Sequence, residues 1–251
     1  MRHRSIRGYS LIELLVVLAI VGVLAMVGVT MIGDRSSGAV RSVMDELEGT
    51  IAAAHKRAVS VGRDVNLVAN GAWSSANPFE LAYGETTTAV GAAVTNATIL
   101  ANGRQTSEMF RFRATDRDHM HAGVVTAGSG WWGTAKAAAG MEDIKDLALF
   151  KDSSLGFCTS GKDEEGKTTT APIVSDPGTD ASNLSALQAM GISGYSKRFN
   201  GTFYLAVVGL RNGAPMVGGP MGVLVVQGNG ATVYKFYNPG LANGDGKWRR
   251  L

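Results

Sequence analysis

The sequence predicts an α+β protein, in which one long N-terminal helix is followed by an antiparallel β-rich globular domain. The first observation is an apolar stretch from Gly8 to Ile32 that continues as an amphipathic pattern to about Ser60. The second is a C-terminal part in which alternating or apolar runs are separated by glycine-containing turns. A high glycine content and a low charge content also favour a loop-rich β domain over a helical enzyme.

The apolar stretch has the length of a membrane helix. No charged residue occurs from Leu14 to Ile32, and at about 1.5 Å per residue this segment roughly spans the hydrocarbon core of a bilayer. Arg2, Arg4 and Arg7 precede it, so the positive-inside rule keeps the N-terminus in the cytoplasm. We therefore expect the rest of the chain to lie on the side of the membrane opposite the cytoplasm.

The residues at the entrance of this stretch carry a family resemblance. Gly8, Tyr9 and the segment Ser10 to Glu13, followed by an apolar helix, resemble the class III signal of type IV pilins and type II secretion pseudopilins. The resemblance implies cleavage after Gly8 by a prepilin peptidase and N-methylation of the new terminus, Tyr9. It also implies the pilin fold, with the long helix packed on the β-rich domain.

Glu13 is the expected assembly residue. A carboxylate at an apolar helix entrance is costly unless a cation meets it. In a filament, the Glu13 carboxylate can neutralise the α-ammonium group that cleavage creates on Tyr9 of a neighbouring subunit. The resemblance thus implies four partners: the prepilin peptidase, the inner membrane before assembly, an inner-membrane assembly platform, and other pseudopilins or pilins, which bind through the N-terminal helix.

Two other interpretations explain part of the N-terminal pattern. A secretory signal peptide has a shorter apolar run and would not carry Glu13 at its start. An unprocessed membrane anchor explains the apolar run but not the combination of Gly8 and Glu13, and it stays open as an alternative.

The expected domain organisation follows from these patterns. Residues 1–8 are a cleaved basic leader, 9–33 a transmembrane and assembly helix, 34–62 an amphipathic continuation of that helix, and 63–251 a β-rich extracytoplasmic domain. The continuation has apolar residues at steps of three and four, which predict one buried side: Val40, Val43, Met44, Leu47, Ile51, Ala54 and Ala58. Gly62 is the expected stop signal.

The segment from Ala54 to Val68 narrows the resemblance to one group of these proteins. Its two alanines, intervening basic cluster, later glycine and alternating strand resemble the junction of helix and first strand in H-type minor pseudopilins and related minor pilins. That family often has an arginine after the first alanine, whereas this chain has His55.

Composition argues against DNA as a partner. The formal net charge is +3, and Arg2, Arg4 and Arg7 of the leader account for all of it. The mature chain is therefore neutral and has no long-range field that attracts a polyanion. Cys158 is the only cysteine, so no intramolecular disulfide can form.

The region 70–200 is weakly patterned, and the sequence does not indicate its role. Expected strands are Phe79 to Tyr83, Ala89 to Leu100 and Met109 to Arg113; expected short helices are Met141 to Lys151 and Asn183 to Met190. Gly161 to Asp180 is expected to be an exposed loop.

The C-terminal part predicts an antiparallel meander. Its expected strands are Thr202 to Leu210, Met221 to Gln227, Ala231 to Tyr237 and Lys247 to Leu251. The last segment resembles the short basic strand that ends the domains of related minor pilins. In the DNA-uptake branch of those pilins, a basic C-terminal motif contacts DNA. Lys247, Arg249 and Arg250, with Lys235 on a neighbouring strand, are the candidate contacts. A charged edge strand that resists aggregation is the favoured alternative.

Catalytic and metal-binding patterns are weak. The segment DRDHMH, with Asp116, Asp118, His119 and His121, lacks a third spaced partner for a metal. Asp163, Glu164, Glu165, Asp176 and Asp180 lack the spacing of an EF-hand. Cys158 has no local base, and no nucleophile elbow or phosphate loop is present. We expect neither an enzyme nor a cofactor.

The sequence therefore predicts a prepilin-like subunit, with a minor pseudopilin of a type II secretion system as the leading assignment. The alternatives are a type IV minor pilin in pilus assembly or DNA uptake, and a membrane-tethered binding domain that is never processed. The same helix serves both filament machines, so the sequence does not separate them, nor a major from a minor subunit.

Overall fold

The computed structural model describes residues 12, 15–21, 35–69, 79–85, 109–111, 121–126, 128–147, 158–162, 168–172, 177–180, 183, 190–228 and 232–251. The chain divides into two compact units, Met1–Arg35 and Ser36–Leu251. The second unit is an α+β domain with antiparallel sheets, as the sequence predicts.

The domain contains three α-helices and twelve strands within the described residues. The helices are α1 (Ser36–Val61), α2 (Trp131–Lys136) and α3 (Gly240–Asn243). The strands are β1 (Val65–Ala69), β2 (Glu80–Glu85), β3 (Met109–Arg111), β4 (Ala122–Val124), β5 (Cys158–Lys162), β6 (Thr168–Pro172), β7 (Gly191–Ile192), β8 (Phe203–Arg211), β9 (Ala214–Pro215), β10 (Met221–Gln227), β11 (Thr232–Asn238) and β12 (Arg249–Arg250).

The strands form three antiparallel groups. A four-stranded sheet has the order β3-β2-β1-β7, and a six-stranded sheet has the order β12-β11-β10-β8-β4 with β9 paired to β8. Strands β5 and β6 form a separate hairpin. In the larger sheet, Leu224 of β10 lies opposite Leu205 of β8 and Lys235 of β11. The predicted C-terminal meander is therefore confirmed, and its last strand is an edge strand.

Helix α1 packs one apolar side on the domain core. Its buried apolar residues are the predicted set together with Ala39: Val40, Val43, Met44, Leu47, Ile51, Ala54 and Ala58. Gly62 follows the helix with φ of 64°, and its N–H donates to the carbonyl of Ala58 at 3.0 Å. This left-handed residue satisfies the last turn and ends the helix where the sequence predicts.

The six-stranded sheet is buried on both faces. On one face, Phe203, Leu205 and Val207 of β8 join the core that includes the apolar side of α1. On the other face, Tyr204 and Ala206 belong to a second core, which also contains Trp132, Ala135, Ile144 and Trp248. Burial on both faces explains why β8 and β10 are nearly continuous apolar runs rather than alternating ones.

Two predictions for the middle region are wrong. Gly161 to Asp180 is not only an exposed loop, because β5 and β6 pair from Cys158 with Pro172 to Lys162 with Thr168. The predicted helix from Met141 has only one 3-10 turn, Ile144–Asp146, among its described residues. The Asp143 carboxylate accepts a hydrogen bond from the N–H of Lys145, a local bond that competes with helix formation.

Other predictions for this region lie outside the described residues. They are the strand Ala89 to Leu100 and the helix Asn183 to Met190 apart from its two ends. The helix predicted from Tyr9 to about Ser60 is helical at residues 15–21 and 36–61, and the join at 22–34 also lies outside the described residues.

Candidate functional site

The described part of the N-terminal unit is an apolar helix. Residues 15–21 are helical, and all their side chains are exposed. The large apolar side chains in this segment and that of Ile12 are between 53% and 70% exposed. Seven consecutive helical residues point in every direction around the axis, so this segment presents apolar surface on all sides. A helix that is apolar all round is expected to be covered by lipid or by other helices.

The predicted processing and assembly residues, Gly8, Tyr9 and Glu13, lie outside the described residues, as does most of the segment 9–33. Within the described ranges, no helix combines the length and the apolar character needed to cross a membrane.

The C-terminal end of α1 is joined to the four-stranded sheet by an ion-pair cluster. Arg57 donates to Glu85 Oε1 from Nε at 3.0 Å and from Nη2 at 2.7 Å. Arg63 Nη1 lies 3.7 Å from Glu85 Oε2. The carboxylate is nearly buried, whereas both guanidinium groups are largely exposed. Sequence reasoning missed this cluster, because Glu85 lies in a polar segment whose pairing with α1 is set only by the fold.

The small residues of the junction have a packing role. Ala54 and Ala58 are fully buried in the core that α1 shares with the sheets. His55 lies between them, with Nε2 at 3.0 Å from the carbonyl oxygen of Lys197 and its ring stacked on Phe199. The segment from Ala54 to Val68 therefore lies where the end of α1 closely approaches the sheet.

The candidate DNA contacts do not form one patch. Because paired antiparallel residues share a face, Arg249 opposite Tyr237 and Arg250 opposite Phe236 lie on opposite faces of the sheet. Arg250 lies over the ring of Tyr234, at 4.7 Å from its centroid. Lys247 is exposed next to them.

Lys235 is engaged with helix α1. Its ammonium group lies 2.7 Å from Asp45 Oδ1 and 2.7 Å from Glu48 Oε2. The hydrogen bond to Asp45, followed in size by the one to Glu48, raises the pKa of Lys235 above its usual value. This lysine fixes α1 against β11 and does not extend a basic surface.

Arg249 is also paired locally. Its Nη2 lies 3.0 Å from Asp245 Oδ2, four residues earlier. The hydrogen bond from the N–H of Lys247, aided by Arg249, lowers the pKa of Asp245 below its usual value. Strand β12 thus has the character of a short, charged sheet edge, which protects against aggregation.

The candidate metal and catalytic residues are only partly described. Most of them lie outside the described residues: Asp116, Asp118, His119, Asp163, Glu164, Glu165 and Asp176. For Cys158, the structure describes only the backbone, which belongs to β5. Asp180 accepts a hydrogen bond from the Tyr204 hydroxyl at 2.9 Å, so it has a structural partner. Across the described part of the chain, no three His, Cys, Asp or Glu residues are grouped so that they could hold a metal ion.

Comparison with known proteins gives a match for the N-terminal segment of the chain. Residues 3–29 match the family model of the prokaryotic N-terminal methylation motif. The chain matches no curated protein and no solved structure. The match contains Gly8, Tyr9, Glu13 and the exposed apolar helix. The chain thus carries a prepilin-like N-terminal signal, which implies processing by a prepilin peptidase and assembly with other pilins.

Proposed function

We propose that this chain is a minor pseudopilin, processed at Gly8 and methylated at Tyr9, which assembles through its N-terminal helix into a type II secretion pseudopilus. The observation that carries the proposal is the methylation motif at residues 3–29. The exposed apolar surface of residues 15–21 supports it, because this surface is the part of the chain that other helices would cover.

In this proposal, the chain acts by assembly and not by catalysis. Before assembly, lipid surrounds the apolar helix and the domain lies in the periplasm. On assembly, helices of neighbouring subunits replace the lipid, and the Tyr9 ammonium of one subunit neutralises the Glu13 carboxylate of another. A buried carboxylate without that partner costs several kcal/mol, so the pair selects one axial register.

Two features support the choice of a minor pseudopilin. The junction from Ala54 to Val68 resembles that of the H-type minor pseudopilins, and its alanines are buried where the helix meets the sheet. The long region 70–200 also favours a low-copy subunit over one repeated along a filament. A type IV minor pilin is the alternative; Lys235 and Arg249 weigh against its DNA-uptake form, because both already have carboxylate partners.

The test is incorporation of Glu13 variants into filaments. We expect Glu13→Leu and Glu13→Gln to insert into the membrane normally but to be depleted from sheared and sedimented filaments, since both lack the charge that pairs with Tyr9. The matched control is Glu46→Gln, which removes a carboxylate from α1. Wild-type incorporation of Glu13→Gln would overturn the charge-pair step.

The choice of machine is tested in strains that lack one assembly platform. The proposal expects the wild-type chain to leave the filament fraction when the type II secretion platform is deleted, and to stay there when the type IV pilus platform is deleted. The reverse result would assign the chain to the pilus.

A further inference from the structure

A turn at residues 193–198, here called the tyrosine turn, holds one aromatic ring in solvent. Tyr195 is 97% exposed, which is the highest exposure among the large hydrophobic and aromatic side chains that the structure describes. Its ring therefore makes no contribution to the packing of the domain. An exposed aromatic side chain that the fold does not use is a candidate anchor for a partner.

The tyrosine turn is held in one conformation by hydrogen bonds. The Ser193 hydroxyl oxygen accepts from the N–H groups of Tyr195 and Ser196, each at 3.2 Å. The N–H of Lys197 donates to the Ser193 carbonyl at 2.9 Å, and the Lys197 ammonium bonds to the carbonyl of Gly194. A turn organised before binding loses little conformational entropy when a partner docks.

The same turn is fixed to the end of helix α1. The N–H of Gly194 donates to Asp64 Oδ1 at 2.7 Å, and the Lys197 carbonyl contacts the ring of His55. A Cβ at position 194 would collide with the backbone of Arg63, so only glycine allows this approach. Helix α1 has 26 residues, which places the tyrosine turn about 39 Å along its axis from Ser36, where the chain enters the domain.

The tyrosine turn and the end of α1 to which it is bonded carry several basic residues. Cations of this end of the domain are Lys56, Arg57, Arg63, Lys197 and Arg198. Two described carboxylates lie among them, Glu85 paired with the arginines and Asp64 bonded to Gly194. Among the described residues of this end of the domain, five cations therefore stand against two carboxylates, and the net charge of these residues is positive. Lys197 and Arg198 lie on the tyrosine turn itself, next to Tyr195 in the sequence.

We propose that the tyrosine turn binds an acidic surface on a partner protein, with Tyr195 as the central anchor and Arg198 as a flanking cation. A single aromatic side chain on an ordered turn, accompanied by charged residues, has the composition of a protein interface hot spot. Single-stranded nucleic acid is instead bound by several aromatic side chains on which successive bases stack. This contact adds to the proposed helix assembly, because it uses the opposite end of α1 from the one that joins the N-terminal segment.

The test uses the full chain in a neutral detergent, labelled with fluorotyrosine, with the Tyr195 fluorine resonance assigned through Tyr195→Phe. The probe is a short peptide of glutamates and leucines, and a thymidine oligonucleotide of the same length represents nucleic acid. We expect the peptide to shift the Tyr195 resonance saturably and Arg198→Glu to weaken its binding about tenfold. Tyr195→Ala is expected to weaken binding by a similar factor when the peptide is followed by fluorescence anisotropy.

The matched control is Arg211→Glu, the same charge reversal at an exposed position outside the tyrosine turn. It is expected to leave peptide binding unchanged. An unmoved Tyr195 resonance, equal weakening by Arg211→Glu, or tighter binding of the oligonucleotide than of the peptide would each overturn the proposal. The readout does not depend on cleavage at Gly8, so its failure is distinct from failure of the assembly proposal.

Discussion

Two helical segments of this chain carry apolar side chains, which are buried in one segment and exposed in the other. In α1 the apolar residues lie on one side, and the structure buries them against two sheets. In residues 15–21 every position is apolar, and every side chain is exposed. The difference separates two kinds of hydrophobic surface: that of α1 stabilises the domain, whereas the proposed function assigns the exposed surface of residues 15–21 to lipid or to other subunits.

The largest expected effect compares one leucine in each segment. Leu47 is fully buried in α1, and Leu18 is 62% exposed. We expect Leu47→Ala to lower the free energy of unfolding of the domain by about 2–5 kcal/mol, because it leaves a cavity. Leu18→Ala should leave that free energy unchanged. Urea unfolding followed by tryptophan fluorescence measures both, since all four tryptophans belong to the domain.

The same two variants can also show that the segments do not differ in this way. If Leu18→Ala destabilised the domain as much as Leu47→Ala did, the N-terminal helix would be part of the domain core, and its surface would not be reserved for assembly.

A smaller effect is expected where α1 meets the four-stranded sheet. Arg57→Met removes two hydrogen bonds from the nearly buried Glu85 carboxylate and leaves Arg63 at 3.7 Å. We expect a loss of about 1–2 kcal/mol in the free energy of unfolding. Lys56→Met is the matched control, because Lys56 is exposed on the same helix turn. Equal losses in the two variants would show that the cluster does not fix the helix end.

The smallest effect concerns pH. The pKa of Lys235 is raised by Asp45 and Glu48, so its contribution to stability is complete below the unfolded value of 10.5 and is lost as pH rises through the higher folded value. From about pH 9 to about pH 12, the wild type should lose up to about 1 kcal/mol more than Lys235→Met does. Parallel pH profiles of the two proteins in urea unfolding, or a smaller loss in the wild type, would contradict this effect.

The sequence contains enough information to predict α1 and the C-terminal meander. The buried side of α1 repeats every three or four residues, and Gly62 ends it. Strands β8 and β10 are dense apolar runs next to turn residues. The hairpin of β5 and β6 was missed because its threonines and glycine have no apolar alternation, so its pairing is not marked by a hydrophobic pattern.

For the candidate site, the sequence reveals a local motif but not distant pairs. Gly8, Tyr9 and Glu13 lie within six residues of one another, inside the segment that matches the methylation motif, and their roles in processing and assembly stay predictions. The pairing of Lys235 with Asp45 spans 190 residues, so only the fold brings the two groups together. Similarly, Tyr195 can be recognised as a candidate interaction residue only because the structure shows it exposed on a fixed turn.

The most direct test of the proposed prepilin processing is the intact mass and N-terminal sequence of the protein purified from its own membranes. We expect a chain that begins at methylated Tyr9, and a Gly8→Leu variant that keeps Met1 because a bulky side chain blocks the cleaved bond. Wild-type protein that begins at Met1, or normal cleavage of Gly8→Leu, would contradict the proposed processing.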